Sequence, residues 1–199
     1  MSTLVPVTYR ETNRERLREA LVTAARDLTI GNGWDGVRMA DVARVAGVSR
    51  QTVYNEFGDK SGLAEALAAR EIDAFVADVR AALQRHGPDI RAAGRAAIGH
   101  TLREAAGNPL IKAILTSARG SADELLPFLT TRSELLLTAA TAVIGDWAGT
   151  HLPDHDPRVV AVAAESIVRL VVSHIVQPSQ APERTADDLT DVLVRLLTP

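Results

Sequence analysis

VRMADVARVAGVSRQTVYNEFGDK, residues 37–60, is the stretch whose reading decides the fold. It has the form of two short helices joined by a tight turn. Val42, Ala43 and Ala46 recur at helical spacing and line one face of the first helix. Gly47 follows as the residue that takes positive φ without a Cβ penalty, so the chain can leave that helix sharply. Ser49 supplies a side-chain oxygen to cap a second helix of about two turns. Within it, Val53 and Phe57 are four apart and point inward, which leaves Arg50, Gln51, Thr52, Tyr54 and Asn55 mostly outward. A short helix with that polar surface, braced by a neighbour, suits the major groove of double-stranded DNA.

These residues resemble the DNA-binding region of the TetR family of transcriptional regulators. The matching positions are Val42-Ala43, Ala46-Gly47-Val48-Ser49, Thr52-Val53-Tyr54, Phe57 and Lys60. Two positions depart from the common pattern. Arg38 stands where a Thr or Ser usually caps the first helix of the motif, and Glu56 stands where a His is frequent. The resemblance implies an all-α chain with an N-terminal three-helix DNA-binding domain over 8–60. A larger helical effector-binding and dimerisation domain is expected over 61–199. It also implies that Tyr54 and Lys60 hold the DNA backbone. The candidate DNA contacts are Arg38, Ser49, Arg50, Gln51, Thr52, Tyr54, Asn55 and Lys60, with Arg50, Gln51 and Thr52 at base edges and Thr52, Tyr54 and Lys60 at phosphate.

Composition narrows the alternatives. The chain has 199 residues, of which 46% are hydrophobic, enough for a real core. Its net charge is −3, so any basic face has to come from arrangement and not from totals. The absence of cysteine excludes disulfides, thiol nucleophiles and thiolate metal sites. The first residues lack the layout of a secretory signal. The most apolar run, Val159–Val176, carries Glu165, Arg169 and His174 and is read as a core or interface helix with no membrane partner. A cytoplasmic protein is expected.

Working outward from the motif, Thr12 and Glu15 form a capping box for a first helix that ends near Gly31-Asn32-Gly33. Asp59 or Ser61 opens a helix that keeps its period to His86-Gly87-Pro88, roughly 25 residues and close to 40 Å. Asp89 caps a helix through about Ala106. Asn108-Pro109 opens Leu110–Ala118, Ser121 and Glu124 open a helix toward His151, and Asp156-Pro157 opens Val159–Val176. Thr185 opens the last helix. The count is about nine helices, with no strand pattern.

No catalytic order of residues stands out, so an enzyme is not expected. His151 and His155 are four apart, but Pro153 between them prevents the regular helix that a metal site at that spacing needs. Neither metal nor cofactor is expected. The resemblance implies a homodimer and a small-molecule effector. Candidate interface residues are Val168, Val172, Leu189, Leu193 and Leu196. Candidate apolar pocket residues are Phe75, Ile98, Leu102, Ile114, Leu115, Phe128, Trp147 and Val168. The polar candidates are His100, Arg103 and Arg119, with Asn108 and Thr116 beside them. With few aromatic and many aliphatic residues, a mostly apolar effector is favoured. Together these expectations describe a repressor released from a palindromic operator. A ligand-independent repressor or activator and a helical protein-interaction module stand as the alternatives.

Overall fold

The computed structural model describes residues 9–108, 110–111 and 133–198. Among these there are eight helices and no strand. They are α1 (Tyr9–Gly36), α2 (Met39–Val45), α3 (Arg50–Phe57), α4 (Lys60–Gln84), α5 (Ile90–Gly107), α6 (Ser133–His151), α7 (Pro157–Val176) and α8 (Pro182–Leu197). The expected helix Leu110–Ala118 and the capping box Ser121/Glu124 fall mostly or wholly outside the described residues.

Most helix starts follow the capping chemistry read from sequence. Ser49 accepts from the Thr52 amide, Asp89 from Ala92 and Asp156 from Arg158, each satisfying an amide the helix itself leaves unbonded. Asp59 accepts from the Gly62 amide at 2.9 Å. Asn108 accepts from Leu110 and Ile111. Two starts lie earlier than expected. Helix α1 already runs from Tyr9, which puts Thr12 inside it, and it contains a non-helical Gly33 just before Trp34. Helix α8 starts at Pro182, whose fixed φ and missing amide suit a first turn, so Thr185 is buried within it.

The chain divides into two compact units between Ala69 and Arg70, inside α4. The sequence-based boundary at 60/61 instead coincides with the start of that helix. In the first unit, Leu21, Ala25, Trp34, Val42, Val53 and Leu63 are buried together with Leu67. In the second, α5, α6, α7 and α8 pack side by side, and α5 against α8 is the most extensive pairing. That approach is close: a Cβ on Gly94 would sit 2.7 Å from Leu193 Cδ2. At the rim of the same contact Arg91 pairs with Asp191, and Arg95 with Asp187.

The Arg95 guanidinium, hydrogen-bonded to the Asp187 carboxylate, holds that carboxyl below its usual range. A carboxyl with a depressed folded-state pKa stabilises the fold above its unfolded value, about 3.9. That contribution disappears as pH falls through the folded value. Asp187→Asn is therefore expected to lower the thermal midpoint slightly at neutral pH and low salt. The difference should shrink in high salt, because the pair is exposed, and vanish in strong acid. Melting curves of both proteins over pH and salt check this.

Candidate DNA-reading and ligand sites

The short helix α3 is held by its apolar residues. Val53 is fully buried and Phe57 nearly so. Before it, Gly47 adopts φ +70 and the Val48 amide reaches back to the Ala43 carbonyl at 2.9 Å, closing the turn after α2. Arg50, Gln51 and Asn55 are exposed, while Thr52 and Tyr54 are half-buried. Arg50 donates to the Tyr54 hydroxyl and lies over its ring, and the Gln51 amide donates to Asn55 at 2.9 Å. These i to i+4 pairs pre-order long side chains and so lower the entropy lost when they engage a ligand. Ser49 and Thr52 share a hydroxyl contact at 2.8 Å, so both serve the cap as well as the surface. Arg38 precedes α2 without a side-chain cap, and its side chain is exposed.

Lys60 is placed differently from the other DNA candidates. Its Nζ lies 5.2 Å from the Trp34 ring centre and 3.4 Å from the Asp35 carbonyl oxygen, so it ties the first turn of α4 to the end of α1. Glu56 is not an unpaired negative charge. Arg14 Nε reaches both its carboxylate oxygens, at 3.0 and 3.1 Å. Arg18 donates to the Glu56 carbonyl and covers the Phe57 ring at 4.7 Å. Sequence reasoning missed these two arginines, because nothing local in α1 indicates a partner about forty residues away.

Gly62 was missed as well. A Cβ there would lie 2.0 Å from the Phe57 carbonyl oxygen, closer than any real contact. The last turn of α3 and the first turn of α4 therefore touch backbone to backbone.

The second unit holds a cavity of about 240 Å³ with an almost wholly apolar wall. Phe75, Val79 and Leu83 on α4 line it, with Ala97 and Ile98 on α5. Val143, Ile144 and Trp147 on α6 continue the wall, and Ile167, Val168, Val171 and Val172 on α7 close it with Leu193 and Leu197 on α8. If sealed and empty, a void of this size costs about 6 kcal/mol at roughly 24 cal/mol per Å³. That is comparable to the whole stability of an ordinary domain. The polar atoms of its wall are occupied: Trp147 Nε1 donates to the Gly87 carbonyl at 3.1 Å, and the Thr101 hydroxyl to Ala97 at 2.9 Å.

Four of the expected pocket residues, Phe75, Ile98, Trp147 and Val168, are therefore together on the cavity wall. Leu102 is buried away from it, Arg103 is exposed, and His100 stacks behind Phe75. Ile114, Leu115, Arg119 and Phe128 lie outside the described residues, as does Thr116. The wall residues Val79, Leu83, Val143 and Ile167 were not named. Their helical spacing marks them as buried but does not distinguish a cavity wall from solid core.

Of the five interface candidates, Val168 and Val172 face the cavity, and Leu189 and Leu193 are buried inside the subunit. A stripe of leucines is apolar whichever helix covers it, and here α5 does. Leu196 is exposed, with Val192 beside it and with Val159, Val162, Leu170 and Val176 on the outer side of α7. Among the described residues no group of three His, Asp or Glu side chains is arranged to hold a metal ion.

Residues 21–67 match the family model for bacterial regulatory proteins of the tetR family, and residues 89–195 match that for the bacterial tetracyclin repressor C-terminal domain. The chain is 35% identical to the HTH-type transcriptional regulator AlkX of Mycobacterium tuberculosis, over all of this chain and 92% of that protein. It is similar to the crystal structure of the TetR family repressor AlkX from a Dietzia species, implicated in biodegradation of n-alkanes. There the identity is 32%, the TM-score 0.66, and the coverage 90% of this chain and 94% of that one. A regulator from Mesorhizobium loti shares the fold at 18% identity and a TM-score of 0.67, covering 94% and 98% of the two chains.

Gly62→Ala is expected to push α3 away from α4, destabilising the protein by about 1–3 kcal/mol. DNA binding should be lost by a larger factor than the folded fraction accounts for. Melting and DNA titration on one preparation separate the two effects.

Proposed function

The chain belongs to the TetR family of transcriptional regulators, and from that premise we propose that it is a repressor released from its operator by a small, mostly apolar molecule. The observation that carries the ligand half is the cavity with its almost wholly apolar wall, which offers an aliphatic ligand a place out of water. The Dietzia relative, a repressor linked to n-alkane breakdown, supports both the repressor reading and an aliphatic effector. Release requires the effector to bind the DNA-incompetent arrangement more tightly than the competent one. A coupling of about 1–3 kcal/mol lowers operator affinity roughly 5- to 150-fold. The lever is α4: its later turns supply cavity wall at Phe75 and Leu83, and its first turn touches α3 through Gly62.

A homodimer is part of the same proposal, with one changed detail. Helix α7 has 20 residues, and an 18-residue stretch of it has a mean hydropathy of 1.9, long and apolar enough by composition to cross a bilayer. Its inner side, however, packs on α6 and α8, and its outer side carries the Glu165–Arg169 ion pair among the exposed valines. That mixture fits a second copy of the chain better than lipid, because a paired charge is tolerated in a protein interface and is expensive in hydrocarbon. The cell compartment that follows is the cytoplasm.

Selection of bound duplexes from random DNA tests the DNA half. An inverted repeat is expected, with half-sites about one helical turn, roughly 34–36 Å, apart. Gln51→Ala should relax preference at particular base pairs by about 1–3 kcal/mol each. A selected site without two-fold symmetry would refute the dimeric operator reading, and no sequence preference at all would favour a protein-interaction module. Operator titration with aliphatic compounds tests the ligand half. Tight binders that leave operator affinity unchanged would point to ligand-independent control.

For the dimer, Leu196→Glu should raise the dimer dissociation constant while the subunit stays folded. Leu193→Glu, which forces an unpaired carboxylate into the core, should unfold the subunit by at least about 3 kcal/mol. Sedimentation and melting of the two variants distinguish these outcomes.

A further inference from the structure

We propose that the effector is an aliphatic chain with a single oxygen head group, and that His100 Nε2, on the ring stacked against Phe75, is the atom that receives the head. The inference rests on the reading of the cavity as an effector site and deepens it. Among the described residues, His100 Nε2 is the buried side-chain nitrogen or oxygen that has no hydrogen-bond partner. Buried polar atoms almost always find one, so a partnerless imidazole nitrogen calls for a reason. Its position supplies one. The imidazole stacks on Phe75 with ring centres 6.0 Å apart and planes 22° from parallel, and Phe75 is itself cavity wall. The imidazole that carries the unpartnered nitrogen, itself off the cavity wall, therefore stacks on a ring that lines an otherwise apolar cavity.

Among the described residues, the wall offers no competing anchor of this kind. The Trp147 indole N–H is committed to Gly87, and the Thr101 hydroxyl proton to Ala97. A hydrocarbon could fill the cavity but would leave Nε2 as it is. A chain ending in a hydroxyl or carboxyl group would fill the same space and satisfy the nitrogen once Phe75 turns aside. Neutral imidazole can donate or accept at Nε2 according to its tautomer, so alcohol and acid heads are both chemically matched. Phe75 then acts as the gate between chain site and head site. Because it stands on α4, turning it also places the effector's polar end against the helix that belongs to both units.

Octane, 1-octanol and octanoate, titrated into the full-length protein with Trp147 fluorescence as readout, test the assignment. In the wild type, at least one oxygen-headed compound should bind about 5- to 150-fold tighter than octane, the range set by one buried hydrogen bond to an otherwise unsatisfied group. The stronger of 1-octanol and octanoate identifies the head. His100→Leu should erase this preference by weakening the headed compounds while leaving octane binding intact, and His100→Gln should restore part of it. Retained octane binding also shows that the variant is folded. Equal binding of all three compounds to the wild type, or a preference that survives in His100→Leu, overturns the assignment while the cavity stands as an effector site; a structural water on Nε2 gives that result. If none of the three binds a protein that still recognises its operator, the aliphatic-effector reading fails, and the head-group site with it.

Discussion

The Phe57 carbonyl oxygen stands where a side chain on Gly62 would begin, and much of the regulator depends on that contact. Backbone against backbone has none of the slack that two facing side chains retain through their rotamers. The end of the reading helix and the start of the long helix therefore move together or not at all. Lys60 over Trp34 adds a second tie at the first residue of α4, and Arg14 on Glu56 ties α3 to α1. A helix of eight residues is too short to be stable alone, so these ties set where its exposed face points.

The second unit follows the opposite rule at its centre. Helices α5 and α8 are packed to the limit, with Leu193 filling the space that Gly94 leaves. A few residues away, α4, α6 and α7 leave a gap lined by Phe75, Val143 and Ile167. Tight packing beside an unfilled gap marks which walls yield. Separating α8 from α5 would break the most extensive helix pairing of this unit, whereas among the described residues α4 forms no pairing of comparable extent with α5, α6, α7 or α8. On the proposed effector reading, that asymmetry favours movement of α4.

The parts legible from sequence were those fixed by local chemistry. Caps at Ser49, Asp89 and Asp156, the positive φ of Gly47, and the period of Val53 and Phe57 each depend on residues within a few positions, and each is found. What escaped reading depends on partners distant in the chain. Nothing near Leu189 and Leu193 reveals that α5, rather than a second subunit, covers them. Nothing near Glu56 reveals Arg14, and nothing near Gly62 shows that a carbonyl from the preceding helix occupies its missing side chain's place. Apolar spacing predicts that a residue is inside, but being inside next to a void and inside next to a leucine have the same spacing.

The same distinction explains where specificity resides. An almost wholly apolar cavity wall discriminates poorly, because one methylene more or less changes binding only modestly. Buried polar atoms discriminate strongly, since a ligand that fails to satisfy them leaves their desolvation uncompensated. Among the described wall residues, the Trp147 indole proton and the Thr101 hydroxyl proton are already given to the protein's own backbone at Gly87 and Ala97. On the proposed effector reading, the aliphatic wall would read chain length and shape with little selectivity. On the proposed reading, a sharp choice between chemical classes falls to the unpartnered His100 Nε2, whose ring stacks on Phe75 of the wall.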